Sequence, residues 1–209
     1  MQQYHREQYE SLLMIRNYFD ACSIQTVQKF KTKISDYLTF RKEVDHFMVS
    51  NFDRLCTQNC YEEKVSACCN REGVITFFAD LVINMLVSEK RQLDLMLARL
   101  QKENTGYKCV YLNKSGCIWR LKPIVCEMFV CESAKKIVFK EKPHARVTWE
   151  KLKLQEKSFK WPDKPVLFDD IETFFLNSGY SSPLMYFHNS PGLLRIKQLA
   201  NSGGTRSKK

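Results

Sequence analysis

Eight of the nine cysteines lie in two stretches, CTQNCYEEKVSACC (residues 56–69) and CVYLNKSGCIWRLKPIVCEMFVC (residues 109–131). Cysteine is an uncommon residue, so this concentration needs an explanation beyond core packing. If the two stretches close on each other in the fold, their thiolates gather around one or two metal ions or an iron–sulfur cluster. The sequence therefore predicts a metal centre with the ligand pool Cys56, Cys60, Cys68, Cys69, Cys109, Cys117, Cys126 and Cys131.

The predicted ligands are sulfur atoms only, because all four histidines lie outside residues 56–131. Catalytic zinc normally has mixed ligands and an open position, so an all-thiolate set favours structural zinc or an iron–sulfur cluster. Zinc knuckles prefer Cys-x2-Cys pairs, which the sequence lacks, and this slightly favours the cluster. The sulfurs suffice for two four-thiolate centres, or for one centre with four spare cysteines, and the sequence leaves both open.

The cysteine count and the first residues bear on the cellular compartment. Nine cysteines is an odd number, and the start, MQQYHREQYESLL, is polar where a secretory signal has an apolar region. Both features favour a cytoplasmic protein, in which clustered cysteines bind metal or do redox chemistry more often than they form disulfides. Disulfides or plain core packing are the competing interpretation. Cys22, isolated in a helical segment, is expected to pack as a small apolar residue.

The apolar content favours a globular protein without a membrane span. Hydrophobic residues make up 44% of the chain. The longest apolar run, residues 74–87, has 14 residues and includes Asp80 and Asn84. Because a helix needs about 20 apolar residues to cross a bilayer, no membrane contact is expected.

The spacing of apolar residues predicts a mainly α-helical fold. A helical region over residues 4–50 breaks near Cys22 and Ser23, and a helix over residues 76–103 bends or splits at residues 88–90. Around an Asn-x-x-Gly turn, residues 107–120 predict a small β-hairpin. Further helices are predicted at residues 124–131, 147–157, 169–176 and 183–199.

These elements divide the chain into four parts. They are an N-terminal helical segment (1–52), a cysteine-cluster metal-binding core (53–133), a basic C-terminal helical segment (134–200) and a disordered tail (201–209). Inside the core, residues 51–73 are expected to form a polar loop that metal coordination orders, and Thr76 to cap the helix that follows.

The cysteine motifs follow a recognisable order. They are Cys68-Cys69, a helix, Cys109-Val110-Tyr111-Leu112, Cys117-Ile118-Trp119, Lys122-Pro123-Ile124-Val125-Cys126 and Cys131. In this order residues 56–131 resemble the YkgJ-type cysteine-cluster family, described as zinc- or iron-chelating domains with a CxxCxxCC signature. Two features depart from the family pattern. The first cysteines are more widely spaced, and Lys122 replaces an arginine, which keeps the charge but loses a bidentate contact.

The resemblance implies that the eight cysteines bind zinc or an iron–sulfur cluster. Flagellin lysine N-methylases share the cysteine signature, so the resemblance also implies that some members support methyl transfer. A second hypothesis is therefore a methyltransferase or redox enzyme that uses the centre. No glycine-rich cofactor loop is visible in the sequence, which weakens this alternative.

The net charge of +10 is concentrated in residues 135–164 and near the C terminus. Such a segment suits an acidic protein surface or a nucleic acid, and a third hypothesis is a zinc-stabilised nucleic-acid-binding module. A solvated face is the simpler interpretation. The aromatic residues of this segment either stack on bases or form the buried side of amphipathic elements. They are Phe139, Trp149, Phe159 and Trp161.

Residues beside the cysteines also carry expectations. Trp119, Met128 and Phe129 are expected to shield the sulfurs from solvent, since an apolar shell limits solvent access to a metal centre. Glu127 and Glu132 are expected to face water. Substrate, reaction and oligomeric state do not follow from the sequence.

Overall fold

Helices make up most of the described chain. The computed structural model describes residues 3–62, 69, 75–114, 116–160 and 166–191, and gives the backbone alone for residues 59–61. The helices are α1 (Gln3–Ala21), α2 (Ile24–Lys33), α3 (Ser35–Asn51), α4 (Asp53–Cys56), a π-helix (Thr57–Glu62), α5 (Phe78–Val87), α6 (Lys90–Leu100), α7 (Ile124–Glu127), α8 (Glu132–Glu141), α9 (Pro143–Lys160), α10 (Leu167–Asn177) and α11 (Tyr186–Asn189). Strands β1 (Leu112–Asn113) and β2 (Gly116–Cys117) pair antiparallel. The prediction of a mainly α fold with a small β-hairpin is confirmed.

Helix α5 lies in the hydrophobic core. Phe78, Leu81 and Ile83 have no exposed surface, and Asp80 and Asn84 are almost as deeply buried. A helix that is apolar on nearly all sides is stable only where other elements surround it. Helix α1 packs against α5 and α6, and α10 packs against α5 and α9. Helices from the N-terminal, central and C-terminal segments therefore share one hydrophobic core.

The N-terminal helical region breaks where the sequence predicts. Helix α1 ends at Ala21, and the Ser23 hydroxyl accepts a hydrogen bond from the N–H of Thr26 at 3.2 Å. This contact caps α2, as serine commonly does at a helix start. A second break, at the fully buried Ile34, is absent from the sequence prediction.

The helix predicted over residues 76–103 is split into two. Ser88 and Glu89 have extended backbone, with ψ of 151° and 153°, so α5 ends at Val87 and α6 begins at Lys90. Splitting is one of the two expected forms, and it is confirmed.

The predicted cap of this helix is wrong by one residue. Phe77 is the N-cap residue, and its N–H donates to the Asp80 carboxylate at 3.0 Å. Thr76 instead is buried, with its hydroxyl 3.4 Å from the hydroxyl of Tyr4. The Asp80 carboxylate, three residues into the helix, accepts from the N-cap N–H, as the acidic residue of a capping box does.

The first cysteine stretch begins as a helix rather than as the predicted loop. After α3 ends at Asn51, α4 and the π-helix continue to Glu62. A π-helical turn is rare and occurs frequently at functional sites. The rest of the predicted loop, residues 63–68 and 70–74, lies outside the described residues.

The second cysteine stretch ends differently from the prediction. Helix α7 stops at Glu127, so the predicted helix over residues 124–131 is short, and Cys131 is the N-cap residue of α8. Helix α8 itself is absent from the prediction. Helix α9 extends beyond the predicted residues 147–157 at both ends and begins at Pro143, where proline is favoured because the first helical N–H has no partner.

Three of the four aromatic residues of the basic segment pack inward, and the fourth, Trp161, lies outside the described residues. Trp149 stacks on Phe47 with ring centroids 5.8 Å apart, and Phe159 stacks on Phe40 at 5.2 Å. Phe139 also packs against the core. These contacts favour the interpretation of these rings as the buried side of amphipathic helices, because rings stacked inside the core are not free to stack on bases.

The C-terminal helix is confirmed in its main part. Helix α10 covers the predicted residues 169–176 and is followed by Gly179, whose φ of +84° lies in the left-handed region that favours glycine. Within the predicted helix over residues 183–199, α11 accounts for four residues. The linker (161–165), the rest of the last predicted helical region (192–200) and the tail (201–209) lie outside the described residues. Of the helices that are described, none combines the length and apolarity that crossing a membrane requires.

Candidate metal centre

Cysteines from both stretches line one cavity of about 650 Å³. The side chains of Cys60 and Cys68 lie outside the described residues. Cys22 is half-buried after α1, in another part of the molecule. The lining therefore includes every predicted ligand whose side chain is described: Cys56, Cys69, Cys109, Cys117, Cys126 and Cys131.

A main-chain hydrogen bond joins the two stretches. The N–H of Cys109 donates to the carbonyl oxygen of Cys69 at 2.9 Å. Both side chains line the cavity. Residues far apart in the sequence therefore meet through their backbones, independently of any bond between their sulfurs.

The β-hairpin positions the next cysteine. Cys117 pairs with Leu112 across the two strands, and the N–H of Ile118 donates to the carbonyl of Tyr111 at 2.9 Å. Gly116 has a φ of +104°, a left-handed conformation that costs glycine little. The tight turn at Gly116 thus returns the chain so that Cys117 lies beside the segment that follows Cys109.

A buried carboxylate fixes the start of α7, which carries Cys126. Asp80 accepts a hydrogen bond from the N–H of Ile124 at 3.2 Å, and the Asp80 side chain is only 2% exposed. Burial raises the pKa of Asp80 to about 6, against the lowering effect of Arg41 and of the two backbone donors. Helix α5 therefore supports one wall of the cavity through this carboxylate.

Amide side chains fix the segment between the hairpin and α7. Asn84, one turn after Asp80, donates to the carbonyl of Leu121 at 2.6 Å and accepts from the N–H of Leu121 at 3.0 Å. Gln92 donates to the carbonyl of Ile118 at 2.8 Å. Asp80, Asn84 and Gln92 thus provide hydrogen-bond partners for backbone groups of the cysteine-bearing segment. No regular sheet or helix would provide partners for these groups.

Four of the thiols form a group that we call the inner thiols: Cys69, Cys109, Cys117 and Cys126. Burial raises the pKa of Cys109 and of Cys126 to about 12, and the neighbouring thiols add to both shifts. Burial likewise raises the pKa of Cys69 and Cys117. Within the group, Cys69 raises the pKa of each of the other three thiols electrostatically, so the four thiols lie near one another. They are neutral at pH 7 unless a cation supplies the positive charge that stabilises their thiolates.

Backbone donors surround two of the inner thiols. The N–H groups of Tyr111 and Leu112 hydrogen-bond to the Cys109 sulfur, and the N–H of Trp119 hydrogen-bonds to the Cys117 sulfur. Each bond lowers the pKa of its thiol, although burial has the larger effect. Amide donors aimed at a sulfur stabilise negative charge on it, so they suit a thiolate better than a neutral thiol.

Cys131 has a different environment from the inner thiols. The Ser133 hydroxyl, 3.2 Å from the Cys131 sulfur, and the backbone N–H of Ala134 lower the pKa of this thiol. Cys131 precedes α8, and a helix N-terminus favours a thiolate. The cavity therefore contains both buried thiols of raised pKa and a more exposed thiol of lowered pKa.

The expectation that Glu127 faces water is wrong. Glu127 is 7% exposed, and its carboxylate lies 3.3 Å from the Lys122 ammonium and 4.0 Å from the Arg41 guanidinium. Arg41 also donates to the carbonyl of Lys122 at 2.7 Å. A carboxylate is buried where cations and donors replace its hydration, and here they come from α3 and from the loop before α7. Glu132, in contrast, exposes 78% of its side chain, as expected.

The predicted shielding residues occupy different places. Trp119 lines the cavity, is 4% exposed and packs edge-to-face on Tyr111 at 5.2 Å. Its indole Nε1 is buried and has no hydrogen-bond partner among the described residues. Phe129 also lines the cavity but is half-exposed, whereas Met128 packs in the hydrophobic core.

Within the described part of the chain, no three His, Cys, Asp or Glu side chains are grouped so that they could hold a metal ion. The described cysteines share a cavity without forming a coordination sphere. His5 is buried in α1, and His188 contacts Glu172 at 2.9 Å, so neither contributes to the cavity. Carboxylates also lie near the inner thiols, since Asp80 raises the pKa of Cys126 and Glu127 raises that of Cys117, although burial has the larger effect on both.

Two of the residues that support the cavity leave a signal in the sequence. Asp80 and Asn84 are polar residues spaced four apart inside the apolar run, so they share one face of α5. Buried polar residues at this spacing indicate hydrogen bonds to a neighbouring segment. Arg41 and Glu127 leave no comparable signal, because their contacts join segments that are far apart in the sequence.

Comparisons with protein-family models, with curated proteins and with solved structures found no match for the chain.

Proposed function

We propose that the chain is a metal-binding protein whose cysteine thiolates hold zinc or an iron–sulfur cluster in the cavity between the two cysteine stretches. The observation that carries the proposal is the lining of that cavity by the six described cysteines of both stretches. Cysteine is too rare for six side chains to share one cavity without a common role. The resemblance of residues 56–131 to the YkgJ-type family supports the same conclusion.

The inner thiols are the proposed primary ligands. Cys69, Cys109, Cys117 and Cys126 influence one another electrostatically, and two of them already receive backbone hydrogen bonds. Four thiolates complete the tetrahedral coordination of zinc and the usual ligand set of an iron–sulfur cluster. Cys56 and Cys131 line the same cavity and are available as additional ligands.

The surrounding charges suit a thiolate centre. Four thiolates around Zn²⁺ carry a net negative charge, and the Lys122 ammonium lies close enough to lower the pKa of Cys69 and Cys117, although burial has the larger effect on both. Contacts with Glu127 and Arg41 hold Lys122 in this position. A cation at this place offsets part of the charge that metal binding leaves on the sulfurs.

Metal binding would also stabilise the fold. Bonds from Cys69 and Cys109 to one metal would join the two cysteine stretches through their side chains as well as through their backbones. Apparent binding free energies of structural zinc reach about 10–16 kcal/mol in small domains, so removal of the metal should lower the stability of the fold.

Metal content after anaerobic purification tests the proposal. We expect one or two equivalents of zinc, or iron with acid-labile sulfide and a visible absorption band. We expect the protein to lose stability when a chelator removes the metal. Protein that is metal-free and colourless, and that keeps its free energy of unfolding in chelator, would contradict the proposal.

The size of the cavity favours a second candidate function, catalysis at the centre. A volume of about 650 Å³ lies within the range of small-molecule sites, and the half-exposed Phe129 and Val49 border it. A methyltransferase or redox enzyme would use this space for its substrate. Calorimetry with S-adenosylmethionine tests the first of these, and the absence of heat at high concentration would remove it.

A further inference from the structure

Helix α9 has two exposed apolar side chains on its outward face. Val147 is 58% exposed and Leu154 is 68% exposed. They are seven positions apart, so they lie on the same face of the helix, about 10 Å apart along its axis. The opposite face carries the buried residues, among them Trp149, Leu152 and Glu156. Apolar side chains that recur at this spacing on a helix are the anchors by which one helix recognises another.

The exposed charges of α9 are mainly positive. Arg146, Lys151 and Lys157 are exposed, against one exposed acid, Glu150. In the described part of the chain, neither Arg146 nor Lys151 takes part in a salt bridge. The two half-buried lysines of the helix, in contrast, both pair with Glu156. The fold therefore satisfies the inward cations and leaves these two outward cations to interact with other molecules.

Helix α8 packs against α9 and has a similar outward composition. Ile137 is 43% exposed, and the exposed Lys136 and Lys140 are its neighbours on the helix. A face that served only solubility would gain from the cations and not from the apolar side chains. The combination of the two therefore indicates a binding surface.

Charge complementarity favours an acidic partner. A nucleic acid suits the surface less well, because the described aromatic rings of this segment pack in the core and the exposed aliphatic side chains gain little from phosphates. A second copy of the chain is disfavoured by charge repulsion, since each copy has a net charge of +10. An acidic helix of another protein, with an apolar stripe of its own, matches both features of the surface.

We propose that the outward face of α9, formed by Arg146, Val147, Lys151 and Leu154, binds an acidic amphipathic helix of another protein. The apolar stripe of the partner covers Val147 and Leu154, and its carboxylates pair with Arg146 and Lys151. Burial of the apolar side chains stabilises the complex, whereas the charges speed association and select an acidic partner. Helix α9 has no cysteine, so the surface does not depend on the metal centre.

Two fluorescein-labelled synthetic peptides probe the surface. The first has leucines at steps of three and four with glutamates between them, so that the leucines share one helix face. The second has the same composition in an order that spreads the leucines around the helix. A single-stranded RNA is the third probe. Fluorescence anisotropy measures the binding of each probe to the full chain at about 0.15 M salt.

A double variant tests the residues of the surface. Lys151→Gln with Leu154→Gln removes one cation and one apolar side chain from α9. The matched control is Ile24→Gln with Lys29→Gln on α2, since Ile24 is 86% exposed and Lys29 is also exposed. All four side chains are exposed, so both double variants should unfold at the urea concentration of the wild type.

We expect the wild type to bind the amphipathic peptide at least about tenfold more tightly than the other two probes, and the α9 variant to lose about tenfold in affinity for it. The α2 variant should bind as the wild type does. No binding of the amphipathic peptide, equal affinity for both peptides, or equal losses in both variants overturns the proposal. Tighter binding of the RNA, lost in the α9 variant, also overturns it and identifies a nucleic-acid surface instead.

A second measurement locates the site without substitutions. In ¹⁵N-labelled wild-type protein, the amide resonances of residues 146–154 should shift on addition of the amphipathic peptide, and those of α2 should stay in place. Shifts that appear in other helices and not in α9 overturn the proposal.

Discussion

The N–H of Cys109 donates a hydrogen bond to the carbonyl oxygen of Cys69 at 2.9 Å, and both side chains line one cavity. This contact joins the two cysteine stretches through the main chain. It brings the side chains of Cys69 and Cys109 to the same cavity. If the proposed metal centre forms there, residues held by such a contact lose less conformational entropy on binding than residues of a free loop.

The environments of the cysteines predict different effects of their substitution. Cys109→Ser and Cys126→Ser remove inner thiols and should abolish stoichiometric metal retention. Cys131→Ser removes the more exposed thiol of lowered pKa and should retain metal with weaker affinity. Metal analysis after gel filtration measures each.

Cys22→Ser is the control for these variants, since Cys22 lies outside the cavity. It should retain as much metal as wild type. Full retention in Cys109→Ser and Cys126→Ser together would rule out the inner thiols as primary ligands.

The hairpin turn predicts a difference between two glycine substitutions. Gly116 has a φ of +104° with no heavy atom within 4 Å of an added Cβ, so Gly116→Ala is strained by conformation alone. We expect it to lower the free energy of unfolding by about 1–2 kcal/mol. In urea titrations Gly106→Ala should cost less, because its φ is not in the left-handed region and its nearest contact is an ordinary 3.5 Å. Equal costs would show that the turn conformation of Gly116 is not required.

The buried arginine predicts a large stability effect. Arg41 donates to the Tyr37 hydroxyl at 2.9 Å and to the carbonyl of Lys122 at 2.7 Å, and it lies near Glu127. Arg41→Met removes one of the two cations beside the buried Glu127 carboxylate and leaves Lys122 alone there. We expect a loss of about 3 kcal/mol in the free energy of unfolding. Urea unfolding with an unchanged m-value measures it.

Arg16→Met is the matched control for Arg41. Arg16 contacts Asp94 at 2.7 Å, but the Asp94 side chain is 44% exposed. A pair of this kind contributes less than about 1 kcal/mol. Similar losses from both substitutions would contradict the assignment of Arg41 as the buried cation.

Helix periodicity accounts for what the sequence predicts well. The N-terminal helices, α5, α6 and α10 follow apolar residues at steps of three and four, and the split at Ser88 coincides with a polar interruption. Helix α8 is missed because Cys131 is assigned to the end of the helix before it. The N-cap role of Cys131 depends on where α7 stops, which the local pattern does not indicate.

The cysteines that line the cavity are predictable from the sequence, whereas the residues that support them are not. The clustering of cysteines indicates which side chains share a cavity, since residue type and spacing carry that information. Burial of Glu127 depends instead on Arg41, which a different helix contributes. Tertiary packing determines such contacts between distant segments. A single sequence indicates them only where polar residues interrupt an apolar run, as at Asp80 and Asn84.

The raised pKa of Asp80 predicts how stability changes with pH. The pKa rises from 3.8 to about 6 because the carboxyl group is buried. The protonated Asp80 carboxyl contributes fully to stability below the unfolded pKa of 3.8. This contribution is lost as the pH rises through about 6, because the unfolded chain releases the proton at a lower pH than the folded chain does. A difference of one between the pKa of the folded and of the unfolded chain corresponds to about 1.4 kcal/mol in the free energy of unfolding. The free energy of unfolding of Asp80→Asn should lack this fall when urea titrations at pH 4, 5, 6 and 7 are compared with wild type.

Asp94→Asn provides a control of opposite sign. Hydrogen bonds from Lys90 and Arg16 lower the pKa of Asp94, so its contribution is present at neutral pH and is lost as the pH falls through the lowered value. Removing it should therefore not alter the pH dependence of stability between pH 5 and 7. If Asp80→Asn shows the same pH profile as wild type, the Asp80 carboxyl does not titrate in this window.

Zinc affinity should rise steeply with pH. The inner thiols have raised pKa values, so they are protonated at neutral pH and each must release its proton to bind. The logarithm of the association constant should therefore increase with pH at a slope of up to about four between pH 6 and 8. Competition with a chromophoric chelator, corrected for the protonation of the chelator, measures the slope. Cys22→Ser should not change the slope. A slope near zero would mean that zinc binds through groups that are already deprotonated, such as carboxylates, and not through these thiols.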